Sequence, residues 1–229
     1  MKKLLTLMGC SAILLTACNL EDGKMFDSAY DFRGLPKAES DPVVTENPQK
    51  HQKYEVTVTF KDTPGGFEIA KLVENYSASN CTYTTNRIAG ATSLAHYQPE
   101  SALQKISDTV YRGEFYTDRP LNEDYYGQGV CLWNTFGIRL SFRANGEQKS
   151  TYFSADIDKE VLQKLSEKGS TTKLIYFYGK NEYPFANFLD FSKGSGSGLV
   201  SRGETLQELK EKNINLQDTF SVELEIRKI

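Results

Sequence analysis

Lys53-Tyr-Glu-Val-Thr-Val-Thr-Phe60 decides the fold class. Tyr54, Val56, Val58 and Phe60 alternate with Glu55, Thr57 and Thr59, which is the period-two signature of a strand with one buried face. Pro64-Gly65-Gly66 then turns the chain, and the same texture repeats outward from it. Residues 67–76 and 81–86 read as two further strands, and residues 109–117 as another. Residues 87–106 have no strong period and read as a loop or weak strand. A long strand over 130–144 meets its partner, 150–157, across the hairpin-type turn Asn145-Gly146. Residues 173–178 and 219–229 read as the last strands. Val161, Leu162 and Leu165 fall at helical spacing after Asp158, and 204–212 reads as a second short helix. The expectation is a mainly β chain: an antiparallel β-sandwich of about eight strands with two short helices and one disulfide.

Composition agrees with this reading and excludes several classes. Tyr 13 and Phe 13 against Trp 1 favour strands, and 39% hydrophobic with 25% charged residues describes an ordinary globular chain. A net charge of -3 lacks the basic surplus that a nucleic-acid binder uses to neutralise phosphates.

The N-terminus carries an address. Met1-Lys2-Lys3 precedes an apolar run from Leu4 to Leu15, then Thr16-Ala17-Cys18. A basic head, a short apolar middle and small residues before a cut site make a secretory signal over residues 1–17, too short to span a bilayer permanently. Leu15-Thr16-Ala17-Cys18 resembles the bacterial lipobox, which implies a diacylglyceryl thioether on Cys18, cleavage before it and acylation of the new amine. Two or more chains anchor a protein stably to a membrane without spanning it. Asn19 follows Cys18 and differs from the Asp that retains enterobacterial lipoproteins in the inner membrane. The expected location is therefore the periplasmic side of the outer membrane, with the inner membrane or the cell surface as alternatives. Residues 18–52 are polar and spaced by Pro36, Pro42 and Pro48, and read as the lipidated N-terminus and a flexible tether. Residues 53–229 form the β-sandwich domain.

With Cys10 removed and Cys18 lipidated, Cys81 and Cys131 remain, and an oxidising compartment makes them a disulfide. Signatures of chemistry are missing. The sequence has no Gly-x-Ser-x-Gly elbow, no His-Glu-x-x-His and no P-loop. The tract Gly194-Ser195-Gly196-Ser197-Gly198 reads as a flexible loop. His51 and His96 are the two histidines, one at the tether boundary and the other in Leu94-Ala95-His96-Tyr97. No enzymatic activity, cofactor or metal is expected. The most distinctive segment is Asp118-Arg-Pro-Leu-Asn-Glu-Asp-Tyr-Tyr-Gly-Gln-Gly129. Asp118, Asn122, Glu123 and Asp124 lack the regular alternation of a calcium loop. Tyr125 and Tyr126 beside acids read as a protein-recognition surface, since tyrosine offers rigid contact area with a polar tip. The other reading has a tyrosine packed against the disulfide and the acids solvating a turn.

Four segments together carry a family resemblance: Tyr54-Glu-Val-Thr-Val-Thr-Phe-Lys-Asp-Thr-Pro-Gly-Gly-Phe67, Asn80-Cys-Thr-Tyr83, Tyr111-Arg-Gly-Glu-Phe-Tyr-Thr-Asp118 and Asn122-Glu-Asp-Tyr-Tyr-Gly-Gln-Gly-Val-Cys-Leu-Trp133. Over residues 54–155 the chain resembles small proteobacterial lipoproteins that serve as immunity proteins to type VI secretion phospholipase effectors. The usual Lys-Asp-Ala-Pro-Gly-Pro is here Lys61-Asp-Thr-Pro-Gly-Gly66, a departure confined to a turn. The resemblance implies a non-catalytic inhibitor that binds a cognate lipase effector and occludes its active site. The expected contact is Asp118, Asn122, Glu123, Asp124, Tyr125 and Tyr126. A periplasmic ligand-binding or envelope-assembly lipoprotein is the alternative.

Overall fold

The computed structural model describes residues 43–86, 89–147, 149–168, 171–185 and 200–229. The signal segment, Cys18, most of the tether and the Gly-Ser tract at 194–198 lie outside the described residues. Among those described, no helix is long and apolar enough to cross a membrane.

Two sheets face each other. The first has the order β5-β6-β1-β11-β9, built from β1 (Lys53–Lys61), β5 (Gln104–Lys105), β6 (Val110–Tyr116), β9 (Thr172–Gly179) and β11 (Thr219–Lys228). The second runs β10-β8-β7-β2-β3, with β4 also on β2. Its strands are β2 (Ile69–Asn86), β3 (Ala91–Tyr97), β4 (Glu100–Ala102), β7 (Trp133–Arg143), β8 (Tyr152–Asp158) and β10 (Val200–Arg202). Pairing is antiparallel throughout except between β10 and β8. The helices are α1 (Lys159–Lys168) and α2 (Leu206–Glu211), the latter closed by a reciprocal capping box between Thr205 and Glu208. Among the described residues the chain is thus a mainly β sandwich with two short α-helices and one disulfide.

The opening stretch behaves as its alternation requires. Tyr54, Val56, Val58 and Phe60 are buried between the sheets, while β1 pairs with β6 on one side and β11 on the other. Facing them are Leu72, Ile138, Leu140 and Phe142, and the centre is aromatic: Phe67, Phe142, Phe153, Tyr178 and Phe220 contact one another edge-on or stacked.

Among the described residues eleven strands are formed, several of only two or three residues, where the sequence pattern marks about eight. Residues 67–76 and 81–86 belong to one strand of 18 residues, whose register shifts between Ala78 and Thr82 where a bulge replaces the expected turn. The region 87–106 contains β3, β4 and β5. Part of the segment expected as a flexible tether is paired with the domain. Thr45 and Asn47 bond the backbone of Leu121 and Arg119, and Glu46 bridges Pro120, so this strap is part of the folded body.

Candidate functional site

The loop leaving β6 is organised residue by residue. Asp118 turns its carboxylate back on the strap and accepts from the backbone N–H of His51 (2.9 Å) and Gln52 (3.1 Å). Arg119 reaches under the loop to Glu74 on β2, donating from Nη2 at 2.5 Å and Nε at 2.8 Å in a two-pronged pair. Glu74 has no solvent exposure. Its carboxylate also meets the Tyr76 hydroxyl at 2.6 Å, and that hydroxyl lies against the Tyr116 carbonyl as well. Burial, with Glu74 alongside, holds the Tyr76 hydroxyl far above its ordinary titration range. On the outer side, Arg119 Nη1 meets Glu46 of the strap at 3.3 Å, and Glu46 meets Lys50 at 3.0 Å.

Beyond Leu121 the loop is pinned to the disulfide. Cys81 and Cys131 are bonded, with Cα atoms 5.5 Å apart and 50 positions between them in sequence. Asn80 clasps the second cysteine's neighbours, donating to the Val130 carbonyl (2.8 Å) and accepting from Leu132 N–H (2.9 Å). Gln128 donates to the Thr82 carbonyl at 2.8 Å, and Asn122 accepts from Trp133 N–H at 2.9 Å. Asp124 accepts from the N–H groups of Tyr126 (3.3 Å) and Gln128 (3.0 Å). Desolvation raises the Asp124 pKa, but the turn's N–H donors outweigh it and hold the carboxyl below its ordinary value. The turn needs Gly127 and Gly129 at φ +69° and +96°, a conformation that side chains disfavour.

Both tyrosines are half-buried and both touch the sulfur cluster of Ala78, Cys81, Ala95 and Cys131. Tyr125 donates to the Leu121 carbonyl (2.8 Å), accepts from Thr45 N–H (3.3 Å) and meets Trp133 edge-on at 5.9 Å. Tyr126 stacks on Tyr83 at 6.0 Å. The six expected contact residues therefore come together on one stapled loop. Five of them, Asp118, Asn122, Asp124, Tyr125 and Tyr126, spend side-chain groups on holding that loop. Glu123 has an exposed side chain, and its backbone carbonyl accepts from Cys131. The face offered to solvent is Glu123, Asp124, the outer edges of the tyrosines, Val130 and Leu132.

Sequence reading missed Glu74, Arg119, Asn80 and the strap. One signal was present for Glu74. It shares the inward register of Ala70, Leu72, Tyr76 and Ala78, so an acid stood on the apolar side of a strand.

A groove of about 530 Å³ opens between the strap, the loop and α1; Gln52, Asn122, Trp133, Asn134, Lys159 and Gln163 help to line it. The histidines belong to different settings. His51 is exposed and contacts Asp118 at 3.1 Å, whereas the His96 ring meets Phe136. Among the described residues, no group of three or more His, Cys, Asp or Glu side chains is arranged to hold a metal ion.

Comparison with family models, curated proteins and solved structures finds no match for the chain.

Proposed function

We propose that this protein is a lipid-anchored immunity lipoprotein. It is tethered through Cys18 to the periplasmic side of the outer membrane, and it binds and neutralises a type VI secretion phospholipase effector by covering its active site. The observation that supports this reading is the loop 118–131. It is fastened at its start by the Arg119–Glu74 pair, at its end by the disulfide and along its side by the strap. A loop held on three sides loses little conformational entropy on binding, which favours a tight protein contact.

The strap adds a spatial argument. The chain arriving from the Cys18 side joins the domain at this same loop, through Thr45, Glu46 and Asn47. A domain anchored through that segment keeps the loop within reach of the membrane on which a phospholipase works, and confinement to that layer raises the effective concentration of inhibitor. Glu123 and Asp124 on the exposed face call for a basic rim on the effector.

The test is a competition. Cells lacking the gene, grown against siblings that secrete the lipase encoded beside it, are expected to be killed, and the intact chain restores survival. Normal survival, together with no binding between the purified protein and that lipase, overturns the proposal.

A further inference from the structure

We infer that the groove beside Trp133 is a binding site for a short neutral saccharide of one or two rings. Its volume of about 530 Å³ falls inside the range of about 300–1,000 Å³ typical of small-molecule sites. Chemistry narrows the ligand class. Five carboxamides border the groove. Asn47 is bonded at both ends, to the Asp118 carbonyl and Gln49 N–H, whereas each of the other four has one end bonded and the other without a partner among the described residues. Asn122 Oδ1 and Gln52 Oε1 accept from Trp133 N–H and the Thr117 hydroxyl, leaving two NH2 donors. Asn134 Nδ2 and Gln163 Nε2 donate to the Leu132 carbonyl and Glu167, leaving two carbonyl acceptors. Free donors and free acceptors bordering one groove suit groups that both give and take a hydrogen bond, and hydroxyls do so.

Charge argues against ionic ligands. Asp118 in the wall opposes an anion, and its carboxylate is already engaged by the strap. Lys159 in the same wall opposes a cation. An apolar ligand would bury the free amide ends unpaired, which is costly. Trp133 is part-buried and borders the groove, so the accessible part of its ring can meet the C–H face of a sugar ring. The indole meets Tyr97 at 6.4 Å and Tyr125 at 5.9 Å, so its orientation is set before a ligand arrives. Nothing in this inference requires the immunity reading: Asp118 and Asn122 of the expected contact border the groove, but the exposed acid Glu123 does not, and the test below needs no protein partner.

The chain has one tryptophan, so its fluorescence reports this groove directly. Full-length protein in a detergent without a sugar headgroup is titrated with N,N′-diacetylchitobiose and, separately, maltose, by tryptophan emission and by calorimetry. A saturable change with at least one disaccharide is expected. Replacing both Asn134→Ala and Gln163→Ala, each exposed, is expected to weaken it about tenfold at an unchanged melting temperature. The inference is overturned if neither disaccharide gives a saturable signal up to tens of millimolar (roughly the weakest affinity worth calling a site). It is equally overturned if the double variant binds at full strength.

Discussion

Glu74 is a carboxylate without solvent exposure in the middle of a core-facing strand, and it is tolerable there because Arg119 and Tyr76 complete its hydrogen bonding. Removing the cation alone strands a buried charge. Arg119→Ala is therefore expected to cost about 3–5 kcal/mol, read as a lower urea midpoint. Replacing the pair together, Glu74→Leu with Arg119→Met, is expected to cost far less than that single change. A loss equal to or larger than that of Arg119→Ala would show that the pair is not the unit of stability. Glu223 lies between Lys173 (2.8 Å) and Lys61 (2.5 Å), and those hydrogen bonds, Lys173's first, hold its carboxyl below the ordinary 4.5. A depressed carboxyl contributes stability that is complete above its unfolded value and is lost as pH falls through the folded one. Melting temperatures are expected to drop below pH 4.5, and Glu223→Gln should flatten that slope. At this scale the sequence announced the paired cysteines and the loop acids, but not their roles. Asp118 and Asp124 read as solvated or partner-facing, whereas their oxygens are taken by backbone N–H groups that no sequence pattern locates.

Strand β2 shows what alternation can and cannot reveal. Ser77-Ala-Ser-Asn80 looks like a turn because small polar residues usually punctuate strands. Here the chain continues, since β7 pairs through Ala78 and Asn80 uses its side chain to hold residues 130 and 132. Strand β3 is hidden for another reason. Ala95 is its one fully buried side chain, so no apolar period marks it. The disulfide secures this same corner, and closing a loop of about 50 residues contributes roughly 4 kcal/mol in the chain-entropy account. Cys81→Ala with Cys131→Ala is expected to lose about that much stability. Amide exchange should quicken first over 118–131 while β1 and β11 stay protected. Uniform acceleration of both sheets would mean that the staple supports the whole body rather than the loop.

Across the whole molecule, two-layer β architecture was legible because β1, β6, β7 and β11 each carry a clean inward face. Strand order was not. Nothing local tells β11 to insert between β1 and β9, with Tyr54 opposite Lys228, because that pairing is settled by the fit of all the inward faces at once. The proposed contact stood out in the sequence as a segment, and the part of that segment exposed in the structure is narrower. Glu123→Arg follows as the cleanest probe of the proposed inhibitor. It is expected to weaken the complex with the neighbouring lipase at least tenfold, on the order of 1.4 kcal/mol, with no change in melting temperature. Unchanged affinity would move the contact off this loop. The strap has a mechanical meaning too. A tug on the chain ahead of Val43 meets the paired backbone of residues 45–47 and 119–121 first. Behind that zipper it meets Glu46, Arg119 and Glu74 in series, ending on β2, an interior strand of the six-stranded sheet. Load entering at Val43 would thus be shared through charged links into the second sheet, sparing the first strand from peeling.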